Sequence, residues 1–219
     1  ATKTRSTWSD AWSGLQIIAK SPYLLGIASF LLAIKACATT VYCQQGDWIA
    51  AAGLDQAERF KLLADINTWV LGSTLVVQSL GTAALMRRLS MAWVLLLGPL
   101  IYLIGFILLA TYPSLSLVVV FVVVHRAASY ALIAPAVEVL YTVVPKSDLF
   151  RIKGILDTVV IRGGDVMSAQ LYGGLRMLSL SLPAIAWLFV PIAGGTCLIA
   201  AWSGRQQTKQ ADVNSSRVM

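Results

Sequence analysis

Charged side chains lie inside the long apolar stretches of this 219-residue sequence, and they have the clearest potential for chemistry. An ionisable group in hydrocarbon costs about 2.5–3.5 kcal/mol on insertion scales, so it normally faces a protein interior or a water-filled cavity. Such groups mark pathways for ions, protons or charged solutes. The residues that we select as binding or gating a solute are Lys35, Arg126, Tyr130, Glu138, Asp157, Arg162 and Asp165.

The same charges also have a purely structural interpretation, in which they hold helices together as internal ion pairs. Arg162 could pair with Asp157 or Asp165, which lie near it in the same apolar stretch. Lys35 has no acidic residue three or four positions away. It could contact a solute, pair with Glu138 or an aspartate of another segment, or extend its ammonium group to the membrane surface.

The amino-acid composition indicates the class of protein to which these charged residues belong. Hydrophobic residues make up 58% of the chain and charged residues 12%, whereas soluble domains are about half apolar and about a quarter charged. This excludes a soluble globular enzyme and a disordered chain, and it predicts an integral membrane protein. The three cysteines, Cys37, Cys43 and Cys197, show no metal-ligand spacing, and no cofactor is expected.

Six apolar segments are long enough to cross a bilayer, which takes about 20 residues. Turn residues separate them: Gln44–Asp47 is expected to end the first, and Pro145 to separate the fourth from the fifth. The sequence therefore predicts an all-α fold with six transmembrane helices. Their expected ranges are 21–45, 60–86, 91–112, 114–144, 151–178 and 183–204.

The basic residues predict the orientation of these helices, because cytoplasmic loops are rich in lysine and arginine. With six alternating spans, eleven basic residues fall on one side and three, Arg59, Lys61 and Arg176, on the other. Both termini are therefore expected in the cytoplasm. The net charge of +7 follows from this distribution, so nucleic acid is not expected as a partner. The eleven are Lys3, Arg5, Lys20, Arg87, Arg88, Lys146, Arg151, Lys153, Arg205, Lys209 and Arg217.

The two ends differ in composition from the apolar centre, residues 21–204. Residues 1–20 combine basic residues with apolar residues at helical spacing, which predicts an amphipathic connector on the cytoplasmic membrane surface. Residues 205–219 are expected to form a polar cytoplasmic tail. This layout suggests the second half of a longer protein, although a self-standing six-span protein stays open.

Two positions predict irregular helix geometry next to the charged residues. Pro135 lies between Arg126 and Glu138 and removes one backbone hydrogen bond, so a kink is expected there. Gly163–Gly164 is expected to interrupt the fifth helix. Interrupted helices near charged groups are typical of transporter binding sites.

A block of about forty residues, from His125 to Asp165, carries the most specific pattern in the chain. It resembles the bacterial relatives of the ATP/ADP carrier (nucleotide transporter) family, a branch of the major facilitator superfamily. Ala134 stands where many of those relatives have an arginine. The matching positions are Arg126, Tyr130, Ala131, Leu132, Pro135, Glu138, Leu140, Thr142, Val143, Val144, Lys153, Asp157, Thr158, Val160, Arg162, Gly163, Gly164 and Asp165.

The resemblance implies the C-terminal half of a twelve-helix facilitator, built from two three-helix inverted repeats, in a bacterial inner membrane. It implies a secondary transporter, not an enzyme, that moves or exchanges a nucleotide or another anionic solute. The partner would be an N-terminal six-helix half in the same chain, or a second copy. The alternative is a membrane scaffold or assembly subunit, which predicts that every intramembrane charge has a close partner.

Overall fold

The computed structural model describes residues 16–79, 90–144 and 146–216, and all the regular secondary structure in these ranges is helical. Two of the long helices contain a π-helical segment, in which the backbone is locally widened by one residue per turn. The elements in chain order are α1 (Pro22–Ala51), α2 (Gln56–Val77), α3 (Met91–Thr111), α4 (Leu115–Ala128), π1 (Ser129–Ile133), α5 (Ala134–Leu140), α6 (Lys146–Ile155), π2 (Leu156–Arg162), α7 (Gly163–Met177) and α8 (Leu182–Ser216).

Five helices in the described ranges are long and apolar enough to cross a membrane. The all-helical prediction is confirmed over these ranges, and the five apolar helices are consistent with a helical membrane protein. The five candidate spans agree with five of the six segments expected from the sequence. They are Pro22–Ala51, Gln56–Val77, Met91–Thr111, Leu115–Leu140 and Leu182–Lys209.

The expected span 151–178 is helical but is not among those five. It corresponds to the end of α6 with π2 and α7, where Asp157, Arg162 and Asp165 make the central turns too polar to qualify by composition. A helix of this kind crosses a bilayer only where its polar side chains face protein or water. Whether this segment crosses the bilayer therefore depends on the contacts that its polar side chains make.

The first helix is longer than expected, so the predicted turn at Gln44–Asp47 is wrong. α1 continues to Ala51 because its polar residues find partners in other helices; Gln44 Nε2 donates a hydrogen bond to the Leu182 carbonyl at 3.2 Å. The chain turns instead at Gly53, whose φ of +68° is costly for other residues. Asp55 then begins α2 with a reciprocal capping box involving Glu58.

The helices are arranged around α1, which packs against α4, α7 and α8. α3 lies along α8 and also contacts α4, whereas α2 packs mainly on α4. As a result, 50% of the most apolar stretch of α1 is buried but only 11% of that of α2. Among the described residues, α2 is therefore a peripheral helix with most of its surface exposed.

The end segments extend the helical structure beyond the apolar centre. Residues 16–20 are helical, and Ile18 joins the hydrophobic core with 4% of its surface exposed. The polar segment expected as a tail continues α8 as far as Ser216, and Gln207 within it is buried. Residues 1–15, with most of the predicted connector, and the Arg87–Arg88 turn lie outside the described residues.

Small residues allow α8 to approach α3 closely, as is common between membrane helices. A Cβ atom added to Gly204 would collide with the backbone of Ala92 at the start of α3. Gly194, in the same helix, has open space on that side. The crossing of α3 and α8 therefore depends on a glycine at position 204.

We predict that Gly204→Ala lowers the thermal stability of the purified protein, while Gly194→Ala leaves it unchanged or raises it. Alanine favours a helix by roughly 0.5–1 kcal/mol over glycine, but overpacking against backbone costs about 1–3 kcal/mol. Thermal unfolding in detergent, followed by tryptophan fluorescence, measures both. An equal gain in Tm for the two variants would contradict the close crossing.

Candidate functional site

Two adjoining cavities lie between α1, the π1 region and the α6–π2–α7 helix. The first, which we call the apolar cavity, has a volume of about 260 Å³ and is lined mainly by Leu31, Ile34, Ile133, Ala134, Val137 and Ile161. The second, the polar cavity, has a volume of about 580 Å³ and includes Thr39, Gln45, Arg126 and Asp165. Lys35, Ala38 and Tyr130 line both and mark the boundary between them.

Lys35 lies near the middle of α1 and is half-buried between the two cavities. It has neither an ion-pair nor a hydrogen-bond partner within the ranges that the structure covers. The suggested pair with Glu138 does not form, because that carboxylate is bonded to another lysine. The ammonium group of Lys35 can therefore contact a charged molecule in either cavity.

Arg126 and Asp165 approach the polar cavity from opposite sides, and each is held by a neutral side chain. Arg126 Nη1 donates to Asn67 Oδ1 of α2 at 3.0 Å. Thr39 Oγ1 of α1 donates to Asp165 Oδ1 at 3.0 Å. Because both partners are uncharged, these contacts orient the guanidinium and the carboxylate without neutralising them.

Glu138 is paired with Lys153 at one end of the apolar cavity. Lys153 Nζ lies 2.7 Å from both carboxylate oxygens and 5.7 Å from the centroid of the Tyr141 ring. The pair joins α5 to α6, so the carboxylate that lines the apolar cavity is neutralised there. Lys153, which the sequence assigned to a basic loop, therefore has a second role as an interhelical contact.

Asp157 and Arg162 are exposed and do not line either cavity. The alternative that Arg162 pairs with Asp157 or Asp165 is not found in the described ranges, where Arg162 makes no ion pair. Both residues belong to the π2 segment, whose turns are wider than those of an α-helix. Both residues lie on a surface that the described part of the chain leaves open.

The ring of His125 packs into an aromatic cluster, and the residue also borders the polar cavity. The ring contacts Tyr102 and Phe121, with centroids 5.2 and 5.6 Å away, and Nδ1 lies 3.0 Å from the Tyr102 hydroxyl. Only 6% of the residue is exposed. His125 therefore packs α4 against α3 while its neighbour Arg126 points to the cavity.

The irregular helix geometry occurs beside the cavities, but in part at other positions than expected. π1 immediately precedes Pro135, and the Ala134 N–H bonds the Ser129 carbonyl five residues back. The expected interruption at Gly163–Gly164 is wrong, because Gly163 has helical φ and ψ angles and α7 continues through it. The widened turns of π2 end at Arg162 instead and provide the local irregularity.

A polar cluster that the sequence did not reveal joins the far ends of α1 and α7. Asp47 Oδ2 accepts a hydrogen bond from the Tyr172 hydroxyl at 2.7 Å and lies 2.9 Å from Arg176 Nε. The sequence placed Asp47 in a turn and Arg176 among the topology charges. The spacing of four between Tyr172 and Arg176, which sets both on one helix face, was the available signal.

Polar contacts therefore attach the α6–π2–α7 helix to the bundle at three levels. They comprise the Glu138–Lys153 pair, the Thr39–Asp165 hydrogen bond and the Asp47 cluster. These contacts are what allow a helix of marginal hydropathy to lie against α1. No group of three or more His, Cys, Asp and Glu residues suited to a metal ion occurs in the described part of the chain.

Comparisons with known proteins do not identify a relative. No protein family model matches the chain, and neither the curated proteins nor the solved structures contain a significant match. The functional interpretation therefore depends on the geometry of the cavities and on the residues that line them.

We predict that Asp47 and Arg176 are energetically coupled. Asp47→Asn and Arg176→Gln should each lower thermal stability, and the double variant should lose less than the sum of the two. The two side chains are 35% and 41% exposed, so we expect a coupling of only about 0.5–1 kcal/mol. A double-mutant cycle on the detergent-purified protein measures it, and strictly additive losses would show that the pair does not contribute.

Proposed function

We propose that this chain is a six-helix unit of a secondary transporter that carries an anionic solute through the two cavities. The observation that carries the proposal is Lys35, a cation in the middle of α1 that lines both cavities and has no ion-pair partner among the described residues. An unpaired charge in a membrane helix is costly, so it is retained where it faces water or a ligand.

The charge balance of the polar cavity supports an anion as the solute. Lys35 and Arg126 line it with a single carboxylate, that of Asp165, so one positive charge is left over. Arg126 suits phosphate or carboxylate groups because its planar guanidinium can donate two parallel hydrogen bonds. Asp165 can neutralise a cation while the cavity is empty and release it when a solute anion arrives.

The exposed polar surfaces support a second six-helix unit as the partner. Asp65 of α2 and Asp157 and Arg162 of π2 are exposed on helix faces that the described residues leave open. In a bilayer those faces need protein or water. A preceding half in the same chain, or a second copy, would cover them and close the cavities. The α6–π2–α7 helix would then be the sixth span.

The resemblance to the ATP/ADP carrier family supports a nucleotide or another phosphorylated compound among the possible solutes. In this proposal the protein lies in a bacterial inner membrane with both termini in the cytoplasm. Exchange of one anion for another would follow from the same site, because a solute on one side replaces the solute released on the other.

The scaffold alternative receives less support from the contacts. It requires each intramembrane charge to have a close partner, as Glu138 has in Lys153. Within the described ranges, Lys35, Asp157 and Arg162 form no ion pair. A purely structural role would leave these three charges unexplained.

We predict that Lys35→Gln and Arg126→Gln each reduce solute uptake at least tenfold without loss of folded protein. A hydrogen bond to a charged group contributes about 1.5–3 kcal/mol, and about 1.4 kcal/mol corresponds to a factor of ten. The measurement is uptake of labelled nucleotides and phosphorylated compounds by vesicles that contain the full-length protein.

Lys61→Gln and Arg205→Gln are matched controls, because both residues are exposed and lie outside the cavities. Their uptake should equal that of the unaltered protein. Uptake that is insensitive to Lys35→Gln and Arg126→Gln would reject the cavity as the pathway. A lack of uptake of every phosphorylated compound, together with uptake of a different anion, would reject the nucleotide and retain the transporter.

A further inference from the structure

We infer that the solute is an amphipathic anion, whose charged group binds in the polar cavity while an attached ring or short chain enters the apolar cavity. This inference rests on the proposed transport function and specifies the chemical class of the solute. It derives from the contrast between two adjoining cavities that share Lys35, Ala38 and Tyr130 but differ in the chemistry of their lining.

The apolar cavity offers little to a charged group. Aliphatic side chains from α1, π1, α5 and π2 supply most of its lining, including Ile34, Ile133, Val137 and Ile161. Its one carboxylate, that of Glu138, is bonded to Lys153. The Tyr102 hydroxyl beside it is bonded to His125. Apart from Lys35 at the boundary, the lining groups without such a bond are mainly aliphatic, and they favour an apolar ligand.

The boundary between the cavities places a cation beside this apolar space. Lys35 lines both parts, and its side chain has no competing partner in the described ranges. Tyr130 also lines both parts and is 49% exposed, so its ring is accessible to a ligand. A molecule with its anionic group at Lys35 would reach Arg126 on one side and the aliphatic lining on the other.

The size of the apolar cavity fits a ring system. Its volume is about 260 Å³, and an apolar cavity of roughly 150 Å³ is sufficient to hold benzene. A small inorganic anion would leave this space empty or filled with poorly bonded water. A solute with one or two rings would fill it and gain the free energy of removing apolar surface from water.

The inference is tested by comparing methyl phosphate with phenyl phosphate, which share a head group and differ in the apolar part. Binding is measured by calorimetry on the full-length protein in lipid nanodiscs. We expect phenyl phosphate to bind at least tenfold more tightly, a difference that corresponds to burial of one ring. Lys35→Gln should weaken both ligands at least tenfold.

Ala134→Leu separates the two parts of the site. Ala134 is exposed to the apolar cavity, so a leucine there fills space without displacing the core. We expect the preference for phenyl phosphate to fall to within about twofold and methyl phosphate binding to stay unchanged. Ala57→Leu is the matched control, since Ala57 is exposed at the start of α2, away from both cavities.

Val137→Thr is a second variant that retains the side-chain shape and adds a hydroxyl group to the apolar lining. It should reduce the preference for phenyl phosphate and leave methyl phosphate binding unchanged. If both variants, Ala134→Leu and Val137→Thr, kept the full preference for phenyl phosphate, the inference would be overturned, because the ring would then bind elsewhere.

The outcomes distinguish this inference from the proposed function. Equal affinity for the two phosphates, with both lost in Lys35→Gln, would overturn the amphipathic solute and support an anion site. Binding of neither phosphate would overturn this inference and leave transport of a different anion, which the uptake assay measures. Binding that Lys35→Gln leaves unchanged would overturn both proposals. A preference for phenyl phosphate that is lost in Ala134→Leu and retained in Ala57→Leu would support both the amphipathic solute and the proposed transport function.

Discussion

Lys35 lies in the middle of a 30-residue apolar helix, where an ammonium group facing hydrocarbon would cost about 2.5–3.5 kcal/mol. α1 avoids that exposure by packing against α4, α7 and α8, which surround it on several sides. The remaining face borders the two cavities. The central position of α1 thus keeps this lysine beside the cavities, next to the polar α6–π2–α7 helix.

The fold was largely predictable because hydropathy is a property of whole segments. Five of the six expected spans correspond to apolar helices, with ends within a few residues for α3. The end of α1 was not predictable, because Gln44 and Asp47 resemble turn residues until their partners in other helices are known. Likewise, the composition of 151–178 gives no sign of the polar contacts that hold it against α1.

The candidate site was predictable in its residue types but not in its pairings. Lys35 and Arg126 stood out as charges in apolar segments, and both line the polar cavity. The partner of Arg126 is Asn67, from a helix almost sixty residues earlier, and no spacing rule connects them. Sequence proximity suggested that Arg162 would pair with an aspartate, but no such pair forms in the described ranges, and Asp165 is bonded to Thr39 of α1 instead. The sequence pattern therefore locates the charged residues, whereas tertiary contacts determine which of them have a bonding partner.

The three polar contacts of the α6–π2–α7 helix have a consequence for how the chain enters the bilayer during synthesis. In each contact the partner belongs to a helix that is made earlier. A segment too polar to leave the translocon as an independent helix would meet those partners already in place and partition together with them. Insertion of this segment would then be a cooperative step that depends on α1 and α5. The contacts are Lys153 with Glu138, Asp165 with Thr39, and Tyr172 and Arg176 with Asp47.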